Sequence, residues 1–249
     1  MLKRNNALPA HKTVGVLGGM GPDATVDFLN KVIRLTPAER DQDHIRMLVD
    51  HDPKVPSRQN VSVEDDARIR ENLAQMAERL EAAGADFLVM VCNTAHGWLD
   101  RALQRISIPF INIVDVTVQV IAKKHPQVRK VGIMATPACI DVGMYQDALD
   151  NAGFVPLPVE GGQRAELMAL IDRVKAGDQG KAVSSAMAAV ANRLIEQGAD
   201  AVIAGCTEIP LVLKPDQLTV PLISSTDELA RRTVSLATGE TSLQAEPKH

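Results

Sequence analysis

Aromatic side chains are nearly missing from this chain: Phe, Tyr and Trp make up 2% of its 249 residues, with one Trp and one Tyr. A core without rings has to be filled by Val, Ile, Leu, Ala and Met. Val/Ile-rich strands and Ala-rich helices suit layers of helix packed on parallel sheet. An excess of one charge sign is missing too. With 27 basic and 31 acidic residues spread along the chain and a net charge of −4, no basic face is available for nucleic acid or anionic lipid. No run approaches the roughly 20 apolar residues of a membrane span. The start, Met1-Leu2-Lys3-Arg4-Asn5-Asn6, leads into Pro9, His11 and Lys12 rather than an apolar signal core. A soluble cytoplasmic protein is expected, with no nucleic-acid or membrane partner. Cysteine is scarce: three residues, an odd number with no Cys-x-x-Cys, argue against a disulfide framework or a zinc clip and for free thiols.

What is present is a duplication. Arg79-Leu80-Glu81-Ala82-Ala83-Gly84-Ala85-Asp86-Phe87-Leu88-Val89-Met90-Val91-Cys92-Asn93-Thr94 returns as Arg193-Leu194-Ile195-Glu196-Gln197-Gly198-Ala199-Asp200-Ala201-Val202-Ile203-Ala204-Gly205-Cys206-Thr207-Glu208, at a constant offset of 114 residues. Each copy reads as a helix end, a Gly cap, an acidic turn residue, a short buried strand and then a cysteine beside a polar neighbour. Val14-Gly15-Val16-Leu17 pairs with Val131-Gly132-Ile133-Met134, and Ile108-Pro109-Phe110-Ile111 with Val220-Pro221-Leu222-Ile223, at nearly the same spacing. The expected architecture is α/β: two pseudo-symmetric domains, each a mainly parallel sheet flanked by helices, with the active site in the cleft between them. The chain divides into a first domain of residues 1–113 with 222–249 and a second of 114–221. The strand expected at 220–223 matches 108–111 and is free to pack on either unit.

Along the chain, a strand at 13–18 enters the turn Gly19-Met20-Gly21-Pro22-Asp23 and a helix at 22–35, with Pro22 well placed at the helix start. Gly19-x-Gly21-x-x-Ala24 also fits a loose dinucleotide fingerprint, with Asp50 positioned for a ribose. A strand at 45–49 leads to the proline-stiffened loop Lys54-Val55-Pro56-Ser57-Arg58-Gln59. Such loops at carboxyl ends of parallel strands bind ligands, and Arg58 is a candidate bidentate carboxylate clamp. A helix at 64–83 places Ile69, Leu73, Met76 and Leu80 on one face. Then come a helix at 95–105, a strand at 109–113 and a helix capped by Asp115. The second unit repeats the order with a strand at 129–134, a helix at 138–152, a strand at 154–158, a helical region at 163–197 broken near Gly177 and Gly180, a strand at 220–223 and a helix at 226–238. The tail from Gly239 to His249 has no apolar period and is expected to fray.

Cys92 and Cys206 sit where a strand hands over to a helix, so main-chain N–H groups and a helix dipole can act on the thiols. Cys139 has no counterpart in the other unit and reads as a small core residue. Two equivalent units facing one another set one thiol on each wall of a cleft. A base that removes a Cα proton and an acid that returns one from the opposite face need that geometry, and the product is the mirror image.

The Gly-Gly-Met-Gly-Pro turn, the Asp-x-Pro-x-Val-Pro-x-Arg loop, Cys92-Asn93-Thr94-Ala95-His96 and Gly205-Cys206-Thr207-Glu208 resemble the pyridoxal-independent aspartate/glutamate racemase superfamily, most closely its aspartate racemase branch. The resemblance covers all but about ten residues at each end. It implies racemisation of an acidic amino acid, aspartate ahead of glutamate, without cofactor or metal, by a homodimer. It implies Cys92 and Cys206 as the catalytic pair, Asn93, Thr94, Thr136 and Thr207 around the α-carboxylate and ammonium, Met20 among the substrate contacts, and Arg58 on the side-chain carboxylate. Where many such racemases have a second substrate-binding lysine ahead of a Val-Lys-Ala-Gly segment, here Val174-Lys175-Ala176-Gly177, this chain offers Arg164. Glu208 stands where glutamate racemases carry histidine. His96 reads as a helix-surface or capping residue or as a group that tunes Cys92. The rivals are a maleate isomerase or malonate decarboxylase on the same scaffold, a non-catalytic small-molecule binding protein, and a dinucleotide-dependent oxidoreductase.

Overall fold

A computed structural model describes residues 11–242; Met1–Ala10 and the tail from residue 243, with most of the stretch expected to fray, lie outside the described residues. In chain order the first unit runs β1 (Val14–Gly18), α1 (Pro22–Leu35), β2 (Met47–His51), α2 (Val63–Ala82), β3 (Phe87–Met90), α3 (Asp100–Arg105), β4 (Phe110–Ile111) and α4 (Ile113–Lys124). The second runs β5 (Lys130–Met134), α5 (Pro137–Val142), α6 (Met144–Asn151), β6 (Val155–Pro158), α7 (Gly162–Lys175), α8 (Lys181–Glu196), β7 (Ala201–Ala204), α9 (Ile209–Val212), β8 (Leu222–Ser224) and α10 (Ser225–Ala237). Every strand pairing is parallel, and the two four-stranded sheets have the same order: β2-β1-β3-β4 and β6-β5-β7-β8.

The duplication extends to packing. A Cβ on Gly15 would lie 2.4 Å from the Leu88 side chain and 3.2 Å from Leu80 Cβ, and one on Gly132 would lie 3.2 Å from Leu194 Cβ. Leu80 and Leu194 are repeat partners, so in both units a strand glycine lets the helix before the cysteine strand settle on the sheet. One contiguous core joins Val16, Phe28 and Val89 of the first unit to Ile133, Val202 and Ile203 of the second. A smaller cluster under α2 and α3 covers the other face of the first sheet with Leu73, Leu88 and Met90. Each fully buried aliphatic side chain contributes about 1.5–3 kcal/mol.

Several elements differ from the sequence expectation for local reasons. Asn112, not Asp115, caps α4: its side chain accepts from the Val114 N–H at 2.8 Å, and Asp115 falls inside the first turn. The helix expected at 138–152 is two helices, because Gly143 takes a left-handed conformation (φ 79°) that ends α5 before α6 begins. The helix expected at 95–105 is a 3₁₀ stretch, Thr94–Trp98, followed by α3. Strand β8 pairs with β7 in the second sheet, while α10, which follows it directly, packs against both α1 and α4. Among the described residues no helix is long and apolar enough to cross a membrane.

Candidate active site

Strands β3 and β7 point their carboxyl ends toward one cavity of about 350 Å³, including its open mouth, and Cys92 and Cys206 both line it. Both thiols are free and buried. Parallel sheets leave their ligand crevices at these strand ends, and the duplication places one such end on each side.

The Cys206 thiol donates to Glu208 Oε2 at 2.9 Å, and the Thr207 hydroxyl also reaches that oxygen, at 3.3 Å. Burial, and then the Glu208 charge, hold the Cys206 pKa well above the usual thiol value, so this thiol keeps its proton. Glu208 is itself buried (3% exposed), lines the cavity, and its Oε1 has no hydrogen-bond partner among the described residues. A Cβ on Gly21 would lie 2.9 Å from that oxygen, so the glycine turn ahead of α1 clears room for the carboxylate.

Among the described residues, two cations reach the cavity. Arg58 is pinned by its own loop: Nη1 donates to Val55 O at 3.1 Å and Pro56 O at 2.7 Å, and Nη2 reaches Met20 O at 3.5 Å. Of a guanidinium's five N–H groups two remain for a ligand. The other cation is Lys175. Arg164 does not reach the cavity; it donates to Asp141 at 2.5 Å and to the Pro137 carbonyl at 3.0 Å. The reason is helix geometry. Arg164 and Lys175 lie in the first and last turns of α7, about 16 Å apart along its axis, and only the carboxyl end meets the cavity.

The remaining expected residues Met20, Asn93, Thr94, Thr136 and Thr207 all line the cavity. Thr94 and Thr136 hydroxyls meet at 2.9 Å across it, and Thr136 Oγ1 also caps α5 through the Cys139 N–H at 3.3 Å. Ser57 and Gln59, which the sequence reading did not single out, flank Arg58 on the lining. Gln59 Oε1 accepts from Ala138 N–H at 3.2 Å and so ties the first unit's loop to the second unit. Their only signal in the sequence is adjacency to Arg58.

His96 is buried rather than on a helix surface. Its Nδ1 faces the Cys92 carbonyl at 2.8 Å, and Nε2 accepts from the Ile113 N–H at 3.2 Å, which fixes the Nδ1–H tautomer. With both nitrogens on main chain, the ring braces the Cys92 turn. Cys139 is buried and its thiol is pushed up to about 12 by burial, with the neighbouring Cys92 adding to the shift. Asp50, the residue a ribose would need, is paired with Arg79 at 2.8 Å. Among the described residues no cluster of three or more His, Cys, Asp or Glu side chains could hold a metal ion.

Comparison with known proteins finds relatives over most of the chain. The family model described as Asp/Glu/Hydantoin racemase matches residues 17–233. The broad specificity amino-acid racemase RacX of Bacillus subtilis is 31% identical over 228 residues, covering 89% of this chain and 96% of that protein. The aspartate racemase of Picrophilus torridus superposes with a TM-score of 0.78 at 29% identity, covering 92% of this chain and 94% of that one. A glutamate racemase of Bacillus anthracis shares the fold at a TM-score of 0.68 and 23% identity, covering 93% of this chain and 83% of that one.

Proposed function

This chain belongs to the Asp/Glu/hydantoin racemase family, and from that premise we propose that it racemises an acidic amino acid, aspartate ahead of glutamate, with Cys92 and Cys206 as the acid–base pair and without pyridoxal phosphate or metal. The observation that carries this reading is the charge inventory of the cavity: Arg58 and Lys175 against Glu208. An amino acid with two carboxylates and one ammonium has the complementary inventory. A buried charge left unpaired on desolvation costs several kcal/mol, so each substrate charge needs its partner. Glu208 Oε1 takes the ammonium, Arg58 the side-chain carboxylate and Lys175 the α-carboxylate, with a further donor from the Thr94–Thr136 pair, which keeps one hydroxyl proton free. A dicarboxylate without an ammonium, as a maleate isomerase would bind, leaves Glu208 unanswered.

The chemistry follows from the two walls. Cys206 holds its proton, so Cys92 is the thiol left to act first as base. Cys92, acting as the thiolate, takes the Cα proton, the carbanion's charge spreads onto the α-carboxylate held by Lys175 and the free proton of the Thr94–Thr136 pair, and the Cys206 thiol gives its proton to the opposite face. The protein then has a Cys92 thiol and a Cys206 thiolate, the form that converts the other enantiomer. Positioned proton transfer of this kind is worth about 10²–10⁴-fold. Cys92→Ala and Cys206→Ala should therefore each lower racemisation of aspartate by at least about a hundredfold with an unchanged circular dichroism spectrum. Full activity in either variant would reject the two-thiol scheme.

A further inference from the structure

Behind the cavity wall lies a chain of buried polar groups that the scheme above does not use. The Ser225 hydroxyl donates to the Ala204 carbonyl at 2.9 Å. A carbonyl only accepts, so this bond spends the single hydroxyl proton, and toward Asn93 the Ser225 oxygen must accept. Asn93 accordingly turns Nδ2 to Ser225, at 3.0 Å, and Oδ1 to Tyr145, whose hydroxyl donates to it at 2.6 Å. The Thr117 and Ser225 hydroxyls beside the phenol have each given their proton to a carbonyl, so neither donates to it. Burial holds the phenol's pKa well above its usual value, which keeps it a donor. Tyr145 and Ser225 are fully buried and Asn93 nearly so.

The chain has a direction in the fold. Asn93 follows Cys92, and Ala204 stands two residues before Cys206, so the bonds run from one thiol-bearing strand end to the other. The duplication makes room for it unevenly. Where the first copy has Val91, the second has Gly205, and a Cβ there would lie 3.0 Å from Tyr145 Cε2 and 3.3 Å from the Met134 carbonyl. Tyr145 is the only tyrosine in the sequence. We infer that Tyr145 and Ser225 are positioning residues of this active site, which through Asn93 and the Ala204 carbonyl fix the placement of the Cys92 and Cys206 thiols relative to one another.

The inference rests on the racemase reading, and its test separates the two. In D₂O, a thiol that takes the Cα proton but faces a misplaced partner returns solvent deuterium to the same face. Loosening the chain therefore raises deuterium in recovered substrate relative to inverted product. Tyr145→Phe, Ser225→Ala and Gly205→Ala should each lower kcat about tenfold or more, leave KM within about twofold and raise that ratio at least about threefold, while Ser225→Thr restores the wild-type ratio. A lower melting temperature with the ratio unchanged in Tyr145→Phe and Ser225→Ala would reduce the chain to a structural brace and overturn the inference alone. Wild-type protein with no Cα exchange on aspartate, glutamate, asparagine or lysine would overturn the racemase reading and the inference with it.

Discussion

Arg58, Lys175 and Glu208 carry the specificity claim, and the two cations make separate forecasts. Arg58→Ala removes a charge-assisted bidentate partner worth about 1.5–3 kcal/mol, so KM for aspartate should rise about 10- to 150-fold. Lys175 stays solvent-exposed on the lining, so charge reversal is the sharper probe. Lys175→Glu should raise KM on the order of tenfold at low salt, less at high salt, whereas Arg164→Ala should leave it within about twofold. Initial rates on aspartate and asparagine check all three, and a strong Arg164→Ala effect would return Arg164 to the site. Cys139 makes a forecast about stability. Below the ordinary thiol pKa, about 8.5, both folded and unfolded chains hold the proton. Above it the unfolded chain loses the proton while the folded one keeps it until about pH 12, so stability falls across that window. Cys139→Ala should make the decline of unfolding free energy between pH 9 and 11 shallower by about 1.4 kcal/mol per pH unit, read by denaturant titration. A slope identical to wild type would contradict the buried, protonated thiol.

At the scale of elements, the strand glycines are the place where the duplication is tested. Gly15→Ala drives a Cβ to 2.4 Å from Leu88, whereas Gly132→Ala meets Leu194 at 3.2 Å. Overpacking costs about 1–3 kcal/mol, so Gly15→Ala should lower the denaturation midpoint more than Gly132→Ala; the reverse order would break the packing account. The elements also show what was legible in the sequence. The two strand-to-cysteine units follow from the 114-residue offset, since apolar runs, Gly caps and glycine-on-leucine packing repeat together, whereas the sheet that takes the strand expected at 220–223 does not follow from it and is the second. Arg58, Met20, Asn93, Thr94, Thr136 and Thr207 were legible by motif and do line one cavity. The resemblance points to Arg164, ahead of the Val174-Lys175-Ala176-Gly177 segment, rather than to Lys175, and sequence alone does not tell which end of α7 meets the cavity. Asn112 and Asp115 are both good capping residues, and only the turn geometry decides for Asn112. The helix breaks at Gly143 and after Trp98 depend on local conformations that a hydrophobic period does not encode.

Taken whole, the molecule is a near-symmetric frame with an asymmetric interior. The two sheets share a strand order, and yet Asn93 faces Thr207, Thr94 faces Glu208 and Val91 faces Gly205 in the repeat. Symmetry brings two thiols to one cavity. Asymmetry gives one of them, Cys206, a carboxylate acceptor and leaves the other beside the His96-braced turn. The central claim is that these two thiols together exchange and invert a Cα proton without a bound cofactor, and the most direct measurement is solvent deuterium at Cα. Purified protein, dialysed against a chelator and given no pyridoxal phosphate, is incubated in D₂O with L-aspartate and separately with D-aspartate. The account predicts that each enantiomer yields the other with deuterium at Cα. No incorporation from either enantiomer, or incorporation only after adding pyridoxal phosphate or a metal, would contradict it.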